Sequence, residues 1–288
     1  MNEKNQDYLK TSLKYLGFGD KLNGVLENAI KQELPFFKLG LNNTVAPAGV
    51  SQDNKSQHDH IRYELNFSKG KDSDMYFLNN YHAILNKPGL LAREHTFNLS
   101  QNNWITVREA YNLLSGRSVN KDLVKEGALE KVNVWTKLDL EVKDARGNFP
   151  SRYFYPNFGY DLEKTISKYP VKELENPEKK ADLLASLKKG DLVSSELLLQ
   201  GKKAKIFVAA NPEMKTVNLY DNKHQTIRDY HIWPELAKEK NTNRSVEGKL
   251  SESEGKAVGR AVKNAHEQSN ASWKQDNIEE AKSRTMSR

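Results

Sequence analysis

A repeat restricts this chain more than any other feature. Seven positions recur at a constant offset of 74 residues. Val107, Ala110, Leu113, Gly116, Val119, Gly127 and Val134 fall on Ala181, Leu184, Leu187, Gly190, Val193, Gly201 and Val208. Each copy reads as helix, glycine stop, strand, glycine turn, strand. The first glycine accepts the left-handed conformation of a helix C-cap, and the second suits a hairpin turn. One helix and one hairpin cannot bury their apolar face alone. The two copies are therefore expected to pack together or to extend one sheet. Repetition of this kind suits a binding scaffold better than an enzyme.

Local signals give the elements around the repeat. Tyr8, Leu9, Leu13 and Leu16 recur at helical spacing until Gly17-Phe18-Gly19 breaks the pattern. A second helix follows Asp20, with Leu22, Val25, Leu26, Ala29 and Ile30 on one face, and Pro35 ends it. Residues 42–60 are polar and read as a loop. Ile61, Tyr63, Leu65 and Phe67 alternate with polar residues as on a half-buried strand, and Met75 to Leu85 returns it as a hairpin. Thr106 and Glu109 form a capping box. Strands are expected near Ser118–Val124, Val132–Val142 and Arg152–Phe158. Asp161 caps a helix, and Pro177 opens the helix of the second copy, with Leu183, Leu184 and Leu187 on its face. Strands follow at Leu192–Leu199, Ala204–Ala210 and Thr216–Tyr220. The expected fold is α+β: repeated helix–hairpin units with small antiparallel sheets, helices against one face, and helices at the N-terminus.

Only part of this chain has the composition of a core. Of its 288 residues, 37% are hydrophobic and 29% charged. Mean hydropathy is -0.80. Beyond about Leu236, charged residues dominate. The organisation read from this is a helical segment over 1–41, the repeated region over 61–232, and a disordered charged tail over 240–288. No run approaches the roughly 20 apolar residues that span a bilayer. The polar start, Met1 to Lys14, lacks the apolar stretch of a signal peptide. A cytoplasmic location without membrane contact is the expectation.

The sequence resembles a known family at four places. They are Glu109-Ala110-Tyr111-Asn112-Leu113-Leu114-Ser115-Gly116-Arg117-Ser118-Val119, Phe158-Gly159-Tyr160-Asp161-Leu162-Glu163, Ser186-Leu187-Lys188-Lys189-Gly190, and Ala210-Asn211-Pro212-Glu213-Met214-Lys215-Thr216-Val217-Asn218-Leu219-Tyr220-Asp221. Together these are similar to a family of uncharacterised bacterial proteins carried on conjugative transposons and plasmids. The resemblance covers residues 61–232. It implies a mobile-element setting and a cytoplasmic location, and it carries no catalytic residue with it.

Residue chemistry narrows the function classes. With no cysteine, disulfides, thiolate catalysis and cysteine-ligated metals are excluded. No nucleophile elbow, zinc-protease or phosphate-loop motif is present. His58-Asp59-His60 offers two histidines on one strand face, short of the three or four ligands that zinc needs. No metal or other cofactor is expected. The net charge of +7 is compatible with nucleic acid without requiring it. Five lysines, Lys188, Lys189, Lys202, Lys203 and Lys205, gather at the helix end and hairpin of the second copy. Alternation puts Lys203 and Lys205 on one strand face, opposite Ile206 and Val208. Their functional reading is sequence-independent phosphate contact; the other reading is a solvated edge protected by lysine. Tyr153, Phe154, Tyr155, Phe158 and Tyr160 fit a sheet face packed on helices, or else a base-stacking platform.

These observations point first to a non-enzymatic accessory protein of a mobile element that contacts nucleic acid or a protein handling it. A protein-interaction module acting on a host system, and an enzyme with dispersed residues, are the alternatives. Truncation after Lys240 is expected to leave the thermal midpoint nearly unchanged; a large drop would show that the tail docks onto the fold.

Overall fold

The computed structural model describes residues 2–99, 104–124, 131–199 and 202–233. The chain forms two compact units, residues 1–228 and 229–288. In the second, the described residues form one short helix, Asp229–Ile232. The tail read over 240–288 lies outside the described residues, as do Gly127 and Gly201 of the repeat.

The first unit is α+β and is built from antiparallel meanders. Helices α1 (Glu3–Leu16) and α2 (Asn23–Lys31) precede strands β1 (Phe36–Val45), β2 (Asp59–Lys69), β3 (Tyr76–Asn86) and β4 (Arg93–Asn98), which pair in sequence order. On β2, Asp59, Ile61, Tyr63, Leu65 and Phe67 are buried at alternate positions. That is the period of a strand with one face in the core. Leu9, Leu13 and Leu16 of α1, Leu26 and Ile30 of α2, and Ala110, Leu113 and Leu114 of the next helix share this core. Phe18 sits in it edge-on to both Tyr63 and Tyr81, with ring centroids 5.5 Å apart in each case.

The two copies of the repeat follow. The first is α3 (Val107–Leu114), β5 (Val119–Val124), β6 (Lys131–Leu138) and β7 (Ser151–Phe154). A short helix α4 (Leu162–Ile166) leads to the second, α5 (Pro177–Lys188), β8 (Val193–Leu199), β9 (Lys202–Asn211), β10 (Thr216–Tyr220) and β11 (Thr226–Ile227). Element types and order agree between the copies. Their strands form separate sheets, β5-β6-β7 and β8-β9-β10-β11. The copies therefore pack together rather than extending one sheet.

The register corrects one detail of the repeat. Val119 pairs with Thr136, whereas Val193 pairs with Val208. The return strands are thus equivalent at an offset of 72, since 208 minus 136 is 72, and Val134 corresponds to Ile206 rather than Val208. Lys131-Val132-Asn133-Val134-Trp135-Thr136-Lys137-Leu138 then lies on Lys203-Ala204-Lys205-Ile206-Phe207-Val208-Ala209-Ala210. The order of exposed and buried positions agrees except at Lys137, which is half-buried where Ala209 is buried. A slip of two residues keeps every side chain on its face, so a hairpin loop shorter by two residues preserves the packing.

Three expectations are corrected. The stretch 42–60 is not all loop: β1 runs to Val45 and pairs along its length with β2, which begins at Asp59. His58 and Asp59 are buried. The strand β4 was not legible, because only Phe97 of its residues is buried. Tyr8 and Val25 are exposed, so the core faces of α1 and α2 omit them.

The seam between the copies is polar and closely fitted. Asn112 Nδ2 donates to the Lys189 carbonyl (2.7 Å) and to Asp191 Oδ1 (2.9 Å). Arg117 donates from Nε to the Gly190 carbonyl (2.7 Å) and from Nη2 to Asn112 Oδ1 (2.5 Å). Arg108 closes on both oxygens of Asp191, the bidentate geometry that makes such pairs strong. Gly116 and Gly190 both adopt the left-handed conformation, with φ of 82° and 83°. They differ in surroundings. A Cβ on Gly190 would lie 2.7 Å from the Ser118 carbonyl oxygen and 3.1 Å from Asn112 Cβ, while one on Gly116 would meet only Leu140 Cδ1 at 3.4 Å.

Gly116→Ala is expected to cost about 1 kcal/mol from backbone strain alone. Gly190→Ala should cost clearly more, because the seam must also open; equal losses in urea melts would contradict this fit. A second expectation concerns acid. His95 Nδ1 accepts from the Phe149 N–H (3.2 Å), and burial holds its pKa down to about 4 from 6.5. The folded state prefers the neutral ring, so this stabilisation is complete above pH 6.5 and is lost as pH falls toward 4. His95→Gln should flatten stability against pH in that window relative to wild type; parallel curves would refute the assignment.

Candidate nucleic-acid interface

Two constraints place α1 and the start of α3 side by side. Asn5 of α1 binds the Tyr76 backbone both ways, donating to its carbonyl (2.9 Å) and accepting from its N–H (2.7 Å). It thus pins α1 to β3. Tyr81 Oη donates to the Ile105 carbonyl (2.6 Å) and Tyr63 Oη to the Val107 carbonyl (3.0 Å), fixing the entry to α3. The capping box of Thr106 and Glu109 is formed as the sequence implies. Trp104 therefore stands next to α1, edge-on to Tyr15 with centroids 6.0 Å apart. With Leu9, Leu13 and Leu16 turned inward, Tyr8 and Tyr15 project to solvent seven residues apart, at 58% and 67% exposure. That spacing is two helical turns, so both rings lie on one face.

An open cleft of about 680 Å³ begins at the rings of Tyr15 and Trp104. Its other walls are the β5–β6 hairpin, with Asn120, Lys121, Asp122, Lys131 and Asn133, and the end of α5, with Ala185, Lys188 and Lys189. Four lysines thus face the two carboxylates of Glu109 and Asp122. Glu109 is engaged by Lys121 (2.9 Å). Asp122 accepts from Asn133 Nδ2 (2.6 Å), and Asn133 Oδ1 accepts from Asn120 (2.7 Å). Among the described residues, Lys131, Lys188 and Lys189 enter no ion pair. A second cleft of about 490 Å³ shares Trp104 and continues past Tyr8 and Phe77 to the amides of Asn79, Asn80 and Asn98.

The five lysines singled out from the sequence do not share one surface. Lys188 and Lys189 line the cleft just described, at the C-terminal end of α5. Lys203 and Lys205 line a different cleft at its N-terminal end, with Lys172, Lys179, Glu173, Glu175 and Glu196. A helix of 12 residues, about 18 Å long, separates the two groups. Lys202 is exposed at the start of β9. Lys205 lies 5.8 Å from the centroid of the Phe207 ring on its own strand face. In the cleft of Lys203 and Lys205, Glu196 holds Lys172 (2.5 Å), and Glu173 accepts from Ser195.

Sequence reasoning missed Tyr15, Trp104, Lys121 and Lys131. Lys131 occupies the place in its copy that Lys203 holds in the other, an equivalence that the strand pairing discloses. The aromatic run is likewise corrected. Tyr153, Tyr155 and Phe158 are exposed rather than packed under helices, while Tyr160 turns inward against Trp135. His58 bonds the Ser51 carbonyl and His60 bonds Thr44, so neighbouring histidines serve separate local contacts.

Three groups with displaced pKa values, Tyr111, Lys87 and Arg117, gather near the seam. Tyr111 donates to Asp59 (2.8 Å), and its pKa is pushed up to about 12, mainly by burial. Lys87 pairs with Asp59 (3.1 Å), and burial lowers its pKa. Arg117 stacks on the Tyr111 ring at 5.4 Å. Charges held this way are structural, since each has its partner in place. Among the described residues, no group of three or more metal-binding side chains converges, and no helix is long and apolar enough to cross a membrane. Compared with protein-family models, curated proteins and solved structures, the chain has no significant match.

Proposed function

We propose that this chain is a non-enzymatic binding protein whose basic cleft takes a nucleic-acid backbone without reading sequence. One observation carries the reading: Lys131, Lys188 and Lys189, contributed by both copies of the repeat and free of ion pairs among the described residues, converge on one cleft. Lysines in this state can neutralise phosphates and release the counterions condensed on a nucleic acid. The amides of that cleft, Asn120 and Asn133, bond one another and Asp122, so contact positions the chain rather than specifying a site. An accessory role on a mobile element, handling its nucleic acid, fits this behaviour.

A protein-interaction module is the second reading. The exposed Tyr153, Tyr155, Phe158 and Met214 favour it, because aromatic and methionine side chains are enriched at interfaces.

The lysine cleft gives a direct test. Lys131→Gln, Lys188→Gln and Lys189→Gln combined should weaken oligonucleotide binding. They should also flatten the plot of log affinity against log salt by about 2 units for a single strand. Lys203→Gln with Lys205→Gln should change the slope much less. No binding by wild type at low salt would remove this reading and leave the protein-interaction one.

A further inference from the structure

The geometry points to single-stranded nucleic acid as the occupant, with unpaired bases on the rings of Tyr15, Trp104, Tyr8 and Phe77 and the backbone on the lysines. This rests on the reading of the cleft as a nucleic-acid site and adds which form of nucleic acid enters it. The lysines alone do not discriminate, because phosphates are present in single and double strands alike. The aromatic side chains do. Stacking requires an exposed base face, which a duplex keeps inside its own stack.

Three features support a continuous path for a strand. The two clefts meet at Trp104, which lines both. Tyr15 stands edge-on to Trp104, and both side chains line the groove. Tyr8 and Phe77 are about half exposed or more, with no ring partner among the described residues. Beyond them, the Asn80 and Asn98 side chains stand opposite one another on β3 and β4, where amides can meet base edges or sugar hydroxyls. The charge also runs in one direction. The Tyr8–Phe77 stretch is lined by neutral residues, and the lysines gather beyond Tyr15. A strand would enter over rings and leave along cations, the two components of a single-strand groove. An acidic peptide would satisfy the lysines but leave the rings without stacking partners.

The test uses the full chain and fluorescence anisotropy. Probes are a labelled oligothymidylate, a duplex of equal length, an abasic oligonucleotide of the same backbone, and polyglutamate. Wild type should prefer oligothymidylate to the other three by about tenfold or more. Trp104→Ala and Tyr15→Ala should each lower oligothymidylate affinity about tenfold while leaving abasic affinity unchanged. Trp104→Phe should restore most of the loss, which separates lost stacking from lost folding. Equal affinity for duplex or abasic probe, with the lysine variant still weakened, would overturn single-strand selection and leave the basic cleft standing. Polyglutamate binding as tightly as oligothymidylate would overturn the proposal in favour of an acidic protein partner. No binding of any probe would remove both readings.

Discussion

Arg117 and Asn112 of the first copy hold the turn Lys189-Gly190-Asp191 of the second, and the place of Lys188 and Lys189 in the basic cleft follows from that contact. The fit depends on the absence of a side chain at Gly190, where the chain passes against the Ser118 carbonyl. Docked there, the end of α5 points Lys188 and Lys189 at a hairpin from the other copy. The seam is polar, yet its donors and acceptors are matched: carbonyls accept from Arg117 and Asn112, and Asp191 is closed by Arg108. A matched network of this kind rigidifies and selects one arrangement, whereas a partly matched one is costly.

The repeat shows what a sequence offset measures. Helix, glycine and first strand agree at 74 residues, and these were legible because helix stops and strand alternation are local signals. The return strand agrees at 72, which only the pairing of Val119 with Thr136 and Val193 with Val208 discloses. Loop length lies outside the periodicity that packing enforces. Once the copies are aligned by pairing, Lys131 and Lys203 become equivalents, as do Trp135 and Phe207. One scaffold thus places a lysine at the same strand position twice, and the neighbouring elements decide whether three carboxylates share its cleft, as at Lys203, or two carboxylates and the rings of Tyr15 and Trp104 do, as at Lys131.

The candidate site was less legible than the fold, for the same physical reason. Clustering of lysines along the sequence suggested one patch, but α5 carries its two ends to different clefts. Conversely, Tyr15, Trp104, Lys121 and Lys188 are scattered in sequence and meet because Asn5 pins α1 to β3, two tyrosine hydroxyls pin the entry to α3, and the seam holds the end of α5. Tyr8 misled for a related reason: its spacing from Leu9 and Leu16 is compatible with a broad apolar face, yet the packed face needs only the leucines. Tyr8 stays more than half exposed and lines the cleft that shares Trp104.

The central claim is that a single strand lies along the groove from α1 to the end of α5. Ultraviolet cross-linking of the full chain to an oligothymidylate, with the attached peptides identified by mass spectrometry, reads this directly. The account predicts attachment at Tyr15 and Trp104, lost when salt displaces the strand. Attachment at Tyr153, Tyr155 or Phe158 in their place, or a cross-link pattern confined to residues 203–205 of β9, would contradict it.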